Sequence, residues 1–235
     1  KSSSQYAGLF GHISESTTRN VLGSSYSVVS SYASSSSTYG ARIGSVVGYC
    51  TSCTIINVIN MASVVFIGNA VVNEDTYIGG IVGYASASSN KEFTIKNCAN
   101  YCSVTHSGKS TYLYVGGVVG YFYGDYPKYI QNCLNYGDIT HNGTANSLCI
   151  GGILGYASSG TNNFENCVSA GIITSSKASN YNDIGSIVGR VGSSTKTSIT
   201  HCYWKSDIGY NRACGYGSLA MITDSTSFNS ITFEL

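Results

Sequence analysis

The chain has little that builds helices and little charge. Its 235 residues include one proline, one tryptophan, two methionines and eight leucines, and Lys, Arg, Asp and Glu together supply only 10%. With the strong helix formers this scarce and no sustained 3.6-residue apolar period, a helical architecture is excluded. The 12 basic residues are scattered and nearly balanced by 11 acids. The Lys/Arg clusters that phosphate backbones require are missing, so no nucleic-acid partner is expected. No apolar run reaches the ~18 residues of a membrane span, and no charged-then-apolar leader follows Lys1. We expect a mature chain or a fragment, soluble, with no membrane span.

What is present recurs. "NCANYCSVT" from Asn97, "NCLNYGDIT" from Asn132 and "NCVSAGIIT" from Asn166 follow one another at steps of 35 and 34 residues. A fourth copy, "HCYWKSDIG", starts at His201, and an earlier one, "NVINMASVV", starts at Asn57 with Val58 in the Cys place. A second motif keeps the same period: "YAGLFG", "IGSVVG", "IGGIVG", "VGGVVG", "IGGILG" and "IGSIVG" begin near residues 6, 43, 78, 115, 150 and 184. Each 34–37-residue block holds short apolar stretches of strand character between Ser/Asn/Gly turns. Such a unit buries a face only by stacking on its neighbours.

Propeller blades need four antiparallel strands and usually longer repeats. Here individual Gly, Asn, Cys and Tyr side chains recur most faithfully, which suits equivalent residues stacked in register. The expected fold is all-β: a single parallel, right-handed β-solenoid of about six coils spanning 1–235, a rod of about 29 Å at ~4.8 Å per coil. The segment 220–235 lies outside the six blocks and alternates like a strand, as a cap or as a strand donated to another molecule.

In this frame Cys98, Cys133, Cys167 and Cys202 form one ladder, with Val58 and Leu22 as earlier members. A position shared by Cys, Val and Leu is an interior one. A linear row of thiols lacks the tetrahedral geometry of a metal site, so neither metal nor cofactor is expected. Asn57, Asn97, Asn132 and Asn166 form a neighbouring ladder, on the strand's other side or at its bend. Cys202 and Cys214 flank the last loop, where a disulfide would contribute about 3 kcal/mol. Cys50 and Cys53 form either a local disulfide or a thiol pair lining a turn.

The "IGGIVG"-type strings followed by "NC.N.G.I" resemble the GLUG-motif repeats of bacterial and protist surface proteins, and nearly the whole chain takes part in the likeness. The resemblance implies a right-handed β-helix on a secreted or cell-surface protein, an adhesin or a stalk, with no catalytic residues to carry over. The "NGT" sequon at Asn142 and the Ser/Thr-rich loops favour an extracellular place and a glycoprotein.

Carbohydrate-cleaving chemistry would need paired carboxylates about 5–5.5 or 6.5–9.5 Å apart. Asp138 and Asp207 share a block position but sit two coils, about 10 Å, apart; Glu92, Asp125 and Glu165 fall in different loops. The chain is expected not to be an enzyme. His106 and His141 are read as stacked, exposed turn residues, too few for a metal site. Tyr49, Tyr84, Tyr121 and Tyr156 follow the same Gly in four successive blocks. They are either an exposed row for sugars or partners, or a buried architectural one. We expect a non-catalytic extracellular structural or adhesive solenoid, whose partners are other surface proteins, glycans or its own copies. The alternatives are a filament subunit and a polysaccharide-binding or polysaccharide-degrading protein.

Overall fold

The computed structural model describes residues 5–23, 26–31, 40–68, 74–88, 90–175, 181–193, 195–207, 209–217 and 220–228. Among these there is no helix; every regular element is a strand and every strand pair is parallel. The third coil shows the plan. Strands Asp75–Gly79 and Val82–Ser86 meet at a Gly-Gly corner, Phe93–Lys96 and Ala99–Asn100 flank a second corner, and Val104–His106 leads to the next coil. Stacking of equivalent strands gives sheets of six, seven, twelve and five strands. The first sheet joins Ala7, Ile43, Ile78, Val115, Ile150 and Ile184 in one register, so the repeats at 6, 43, 78, 115, 150 and 184 are successive rungs of one β-solenoid.

The second corner explains the recurrent Asn. Asn20, Asn57, Asn97, Asn132, Asn166, His201 and Asp224 all adopt positive φ, between 48° and 58°. That left-handed conformation is disfavoured for most side chains and tolerated best by Gly, Asn and Asp. The Asn amides also chain along the rod: Nδ2 of Asn57, Asn97, Asn132 and Asn166 each donates to Oδ1 of the Asn one coil earlier, at 2.9–3.2 Å. The residue after the corner turns inward. Val58, Cys98, Cys133, Cys167 and Cys202 are all at most 2% exposed, the expected interior ladder. Its first member is Val21, in register with Val58, rather than Leu22, which points outward. Asn20 takes the bend, so its successor Val21 is the inward residue.

A second asparagine ladder lies inside. Asn60, Asn100 and Asn135 are fully buried; Asn60 Nδ2 donates to Asn100 Oδ1 at 2.7 Å and Asn100 Nδ2 to Asn135 Oδ1 at 2.8 Å. Each amide also donates to the backbone two residues on, at Ala62, Cys102 and Gly137. The Gly-Gly corner makes room for this ladder. A Cβ on Gly80 would lie 2.6 Å from Asn100 Cγ, and one on Gly79 would lie 1.9 Å from the Val82 carbonyl oxygen. The two glycines of "IGGIVG" therefore serve a close backbone crossing and a buried polar row.

The tail does not fold back as a cap over its described length. Ala220–Thr223 and Thr226–Phe228 pair in parallel with Lys196–Thr200 and Tyr203–Lys205, adding one more rung to the twelve-stranded sheet. This stretch is already paired within its own chain, and residues 229–235 lie outside the described part.

The two asparagine ladders respond differently to mutation. Asn100→Ala strands the Asn60 amide and the Asn135 carbonyl in the core and should cost about 3 kcal/mol. At the exposed corner, Asn97→Ala should cost about 1 kcal/mol of left-handed strain, and Asn97→Gly should be close to neutral. Urea denaturation followed by circular dichroism checks this, and equal losses at Asn97 and Asn100 would contradict the assignment.

Candidate functional site

The Tyr row belongs to the second sheet, where His12, Tyr49, Tyr84, Tyr121, Tyr156, Arg190 and Tyr216 stand in one register. A second outward ladder on the first sheet faces it: Tyr6, Arg42, Tyr77, Tyr114, Cys149 and Asp183. The Gly-Gly corner folds the two sheets toward each other, and their rings interlock. Tyr77 packs against Tyr84 and Tyr121 at 4.9 and 5.0 Å between centroids, and Tyr114 against Tyr121 and Tyr156 at 5.0 and 5.4 Å. The row is neither wholly exposed nor wholly buried: Tyr84 is 9% exposed, while Tyr49, Tyr121 and Tyr156 keep partly wet edges. Burial raises the phenol pKa of Tyr84, and holds that of Tyr121 at about 12, so these hydroxyls stay protonated.

An arginine stands near each end of this aromatic surface. The Arg42 guanidinium lies 4.7–5.7 Å from the ring centres of Tyr6, Tyr49, Tyr77 and Tyr84, and donates to the Tyr6 hydroxyl at 3.0 Å. Arg190 lies over Tyr156 and Tyr216 and pairs with Asp183 at 3.2 Å. Beside Arg42 the surface opens into a cleft of about 410 Å³. Its lining includes Arg42, Tyr49, Tyr84, Tyr123, Asp125 and Tyr126. The sequence singles out Tyr49 and Tyr84 and weighs Asp125 only as an isolated loop acid; Tyr123, at the end of strand Val119–Tyr123, and Tyr126, in the loop that follows, carry no such signal.

That loop is held from below by an unexpected residue. Lys128 is fully buried, in register with Phe93 of the preceding coil and Asn162 of the next. Its Nζ donates to the carbonyls of Gly124 and Tyr126, the latter at 2.9 Å. Burial lowers the ammonium pKa to about 8, with Asp125 opposing the shift. Gly124, at φ 96°, donates its N–H to Ser159 Oγ at 3.0 Å.

His106 and His141 correct the expectation of exposed turn residues. Both are buried, their Nδ1 atoms 3.0 Å apart, because alternation within Val104–His106 turns Val104 and His106 inward and Thr105 outward. His106 stacks on Phe66, its ladder neighbour, at 5.3 Å, and its Nε2 bonds to Ser110 Oγ, which donates to Thr76 Oγ1 at 2.7 Å.

All nine cysteines are thiols. The expected Cys202–Cys214 bridge is not formed. Cys202 lies in the interior ladder and donates to Thr200 O, whereas Cys214 starts a strand of the second sheet in register with Val188 and donates to Tyr216 O. Cys50 and Cys53, both buried, are a thiol pair at a corner: Cys50 donates to Tyr84 O, Cys53 to Thr51 O and Ile13 O; the neighbouring Cys50 lowers the Cys53 pKa, and burial raises that of Cys50. Asp138 Oδ1 accepts from the Ile172 N–H at 2.8 Å, and Asp207 pairs with Lys205 at 3.2 Å. Asn142 is exposed in the turn between Ile139–His141 and Thr144–Gly151. Among the described residues no group of three or more His, Cys, Asp or Glu could hold a metal ion, and no helix is long and apolar enough to cross a membrane.

Comparisons with protein-family models, with curated proteins and with solved structures gave no match.

The histidine pair generates a pH dependence. Burial first, and the His141 ring second, lower the His106 pKa from 6.5 to about 3. The folded state holds a neutral imidazole that the unfolded chain protonates below pH ~6.5. Stability is therefore full above ~6.5 and falls as pH drops toward ~3, with a slope approaching about 1.4 kcal/mol per pH unit. Urea midpoints from pH 7 to 4 should fall accordingly, and His106→Phe, which copies Phe66, should flatten the slope.

Proposed function

We propose that the chain is a non-catalytic structural and adhesive module of a secreted or cell-surface protein. The observation that carries this reading is that the repeated side chains bind one another along the rod. Two asparagine ladders, a thiol ladder and an interlocked tyrosine surface tie each coil to the next, which suits a stiff element that displays a surface. The likeness to GLUG-motif arrays, and the exposed sequon at Asn142 as a glycan acceptor, favour the extracellular setting. The two acids best placed by sequence for hydrolysis are engaged separately, Asp138 with a backbone N–H and Asp207 with a lysine.

Incubation with plant, algal and mucin polysaccharides should release no reducing ends above background. Sustained turnover that disappears in Asp138→Asn or Asp207→Asn would overturn the reading.

A second reading, head-to-tail assembly, is favoured by the ends of the sheets. The first and last rungs are edge strands, and the first presents Leu9, Phe10 and Leu22 to solvent. Unpaired parallel edges are templates for another chain, and contacts that do not close give filaments. Sedimentation and negative-stain microscopy across a concentration series test it: filaments that grow with concentration are expected from this reading, and a monomer at every concentration excludes it.

A further inference from the structure

We propose that the cleft between Arg42 and the Tyr123–Tyr126 loop is a subsite for an uncharged glycan, a neutral oligosaccharide or a segment of a neutral polysaccharide. The proposal rests on the reading of the chain as a binding rather than a catalytic module. At about 410 Å³ the cleft falls within the roughly 300–1,000 Å³ of small-molecule sites.

Its chemistry selects the ligand. Tyr123 and Tyr126 are among the exposed aromatic residues of the protein and line the cleft, and an aromatic ring can pack on the C–H face of a pyranose. The floor adds hydroxyls: Thr51, Ser86 and Tyr123 are one ladder, and Ser86 Oγ already bonds to Thr51 Oγ1 at 3.2 Å and to the Tyr49 hydroxyl at 3.4 Å. Hydroxyl groups donate and accept, which matches a polyol. One carboxylate, Asp125, and one guanidinium, Arg42, complete the lining, and their charges balance. The two charges cancel in sum, so the lining offers no net attraction to an anionic or a cationic ligand, whereas a polyol can accept from Arg42 and donate to Asp125. A neutral sugar hydroxyl can donate to Asp125 without an uncompensated charge.

The cleft is also built at a cost to the core. Next to the apolar Phe93 in its ladder, an apolar side chain at position 128 would be the more stabilising choice. The chain instead buries the Lys128 ammonium and uses it to fix the carbonyls of Gly124 and Tyr126, the residues on either side of Asp125. A recognition loop held rigid in this way loses less conformational entropy on binding. From the cleft the tyrosine surface continues along the rod through Tyr121 and Tyr156, so a longer glycan would meet another aromatic ring at each coil.

Isothermal titration of the chain with cellohexaose, xylohexaose, mannohexaose and laminarihexaose, with polygalacturonate as the charged comparison, tests the assignment. At least one neutral hexasaccharide should bind, and Tyr123→Ala, Tyr126→Ala and Asp125→Asn should each weaken it about tenfold or more, about 1.4 kcal/mol. Tyr136→Ala, at an exposed tyrosine just after strand Leu134–Asn135 and outside the cleft lining, should leave it unchanged. Circular dichroism confirms that the surface variants fold. The proposal falls if no neutral hexasaccharide binds, if only polygalacturonate binds, or if the loop variants bind as tightly as the parent. Failure to bind without any turnover removes the subsite alone; turnover would remove the non-catalytic reading while leaving binding at the cleft to be judged by the same variants.

Discussion

In-register parallel stacking constrains everything else in this protein. Each side chain has its own equivalents one coil above and one coil below, about 4.8 Å away, so a ladder position must hold a residue that tolerates itself. Asn pairs with Asn because an amide donates at one end and accepts at the other. Cys, Val and Ile stack as small apolar bodies, and Tyr stacks by ring contact. Charge is the residue property that tolerates itself least, since like charges placed directly opposite repel. The low charge of the sequence follows. Where charges do enter, the ladder breaks them up: Ile56, Lys96, Gln131, Glu165 and Thr200 share one register, and Gln131 Nε2 donates to Glu165 at 2.9 Å.

The same constraint makes a corner harder to build than a strand. A bend must recur at one place in every coil without unpairing the backbone, and the chain uses two solutions. At one corner an Asn in the left-handed region supplies the turn, and its amide keeps the polar connection between coils. At the other, the first residue is Gly in every coil and lets one segment cross another closely; in the three central coils a second Gly leaves room for the side chains of Asn100, Asn135 and Ser169. The corner, the ladder and the spacing of the repeat depend on one another, which is why "IGGIVG" and "NC.N" keep the same period.

Repetition made part of this legible in the sequence. The coil period and the inward Cys ladder followed from side chains that return every 34–37 residues, whereas the Asn ladder could be on the strand's other side or at its bend until the positive φ values placed it at the bend. Leu22 was misplaced because the Asn20-Val21 step, the same as Asn57-Val58, is hidden in a more divergent coil. His106 and His141 were read as turn residues because each follows a Thr at a strand end; simple alternation from Val104 would have turned them inward. Lys128 carries no local signal at all, since only alignment with Phe93 and Asn162 across coils shows that it lies inside. The face of the Tyr row could not be read from that row alone, because its burial is set by the opposing Arg42–Tyr77–Tyr114 ladder on another sheet.

In the reading proposed above, binding resides where the period is broken. Residues that obey the repeat are largely engaged with their own equivalents, and a ligand meets only the edges they leave open. The Gly124–Pro127 segment differs in length and sequence from the segment that joins the same strands in the preceding coil, and it adds Asp125 and Tyr126 to the surface beside Tyr123. Lys128 is the other side of that exception: a charge in an otherwise uncharged stack, stabilised by the carbonyls of the loop it holds. In the proposed reading, a scaffold of self-pairing ladders with this loop clamped upon it separates mechanical cohesion from recognition. It also lets the loop vary without disturbing the register of the coils beneath.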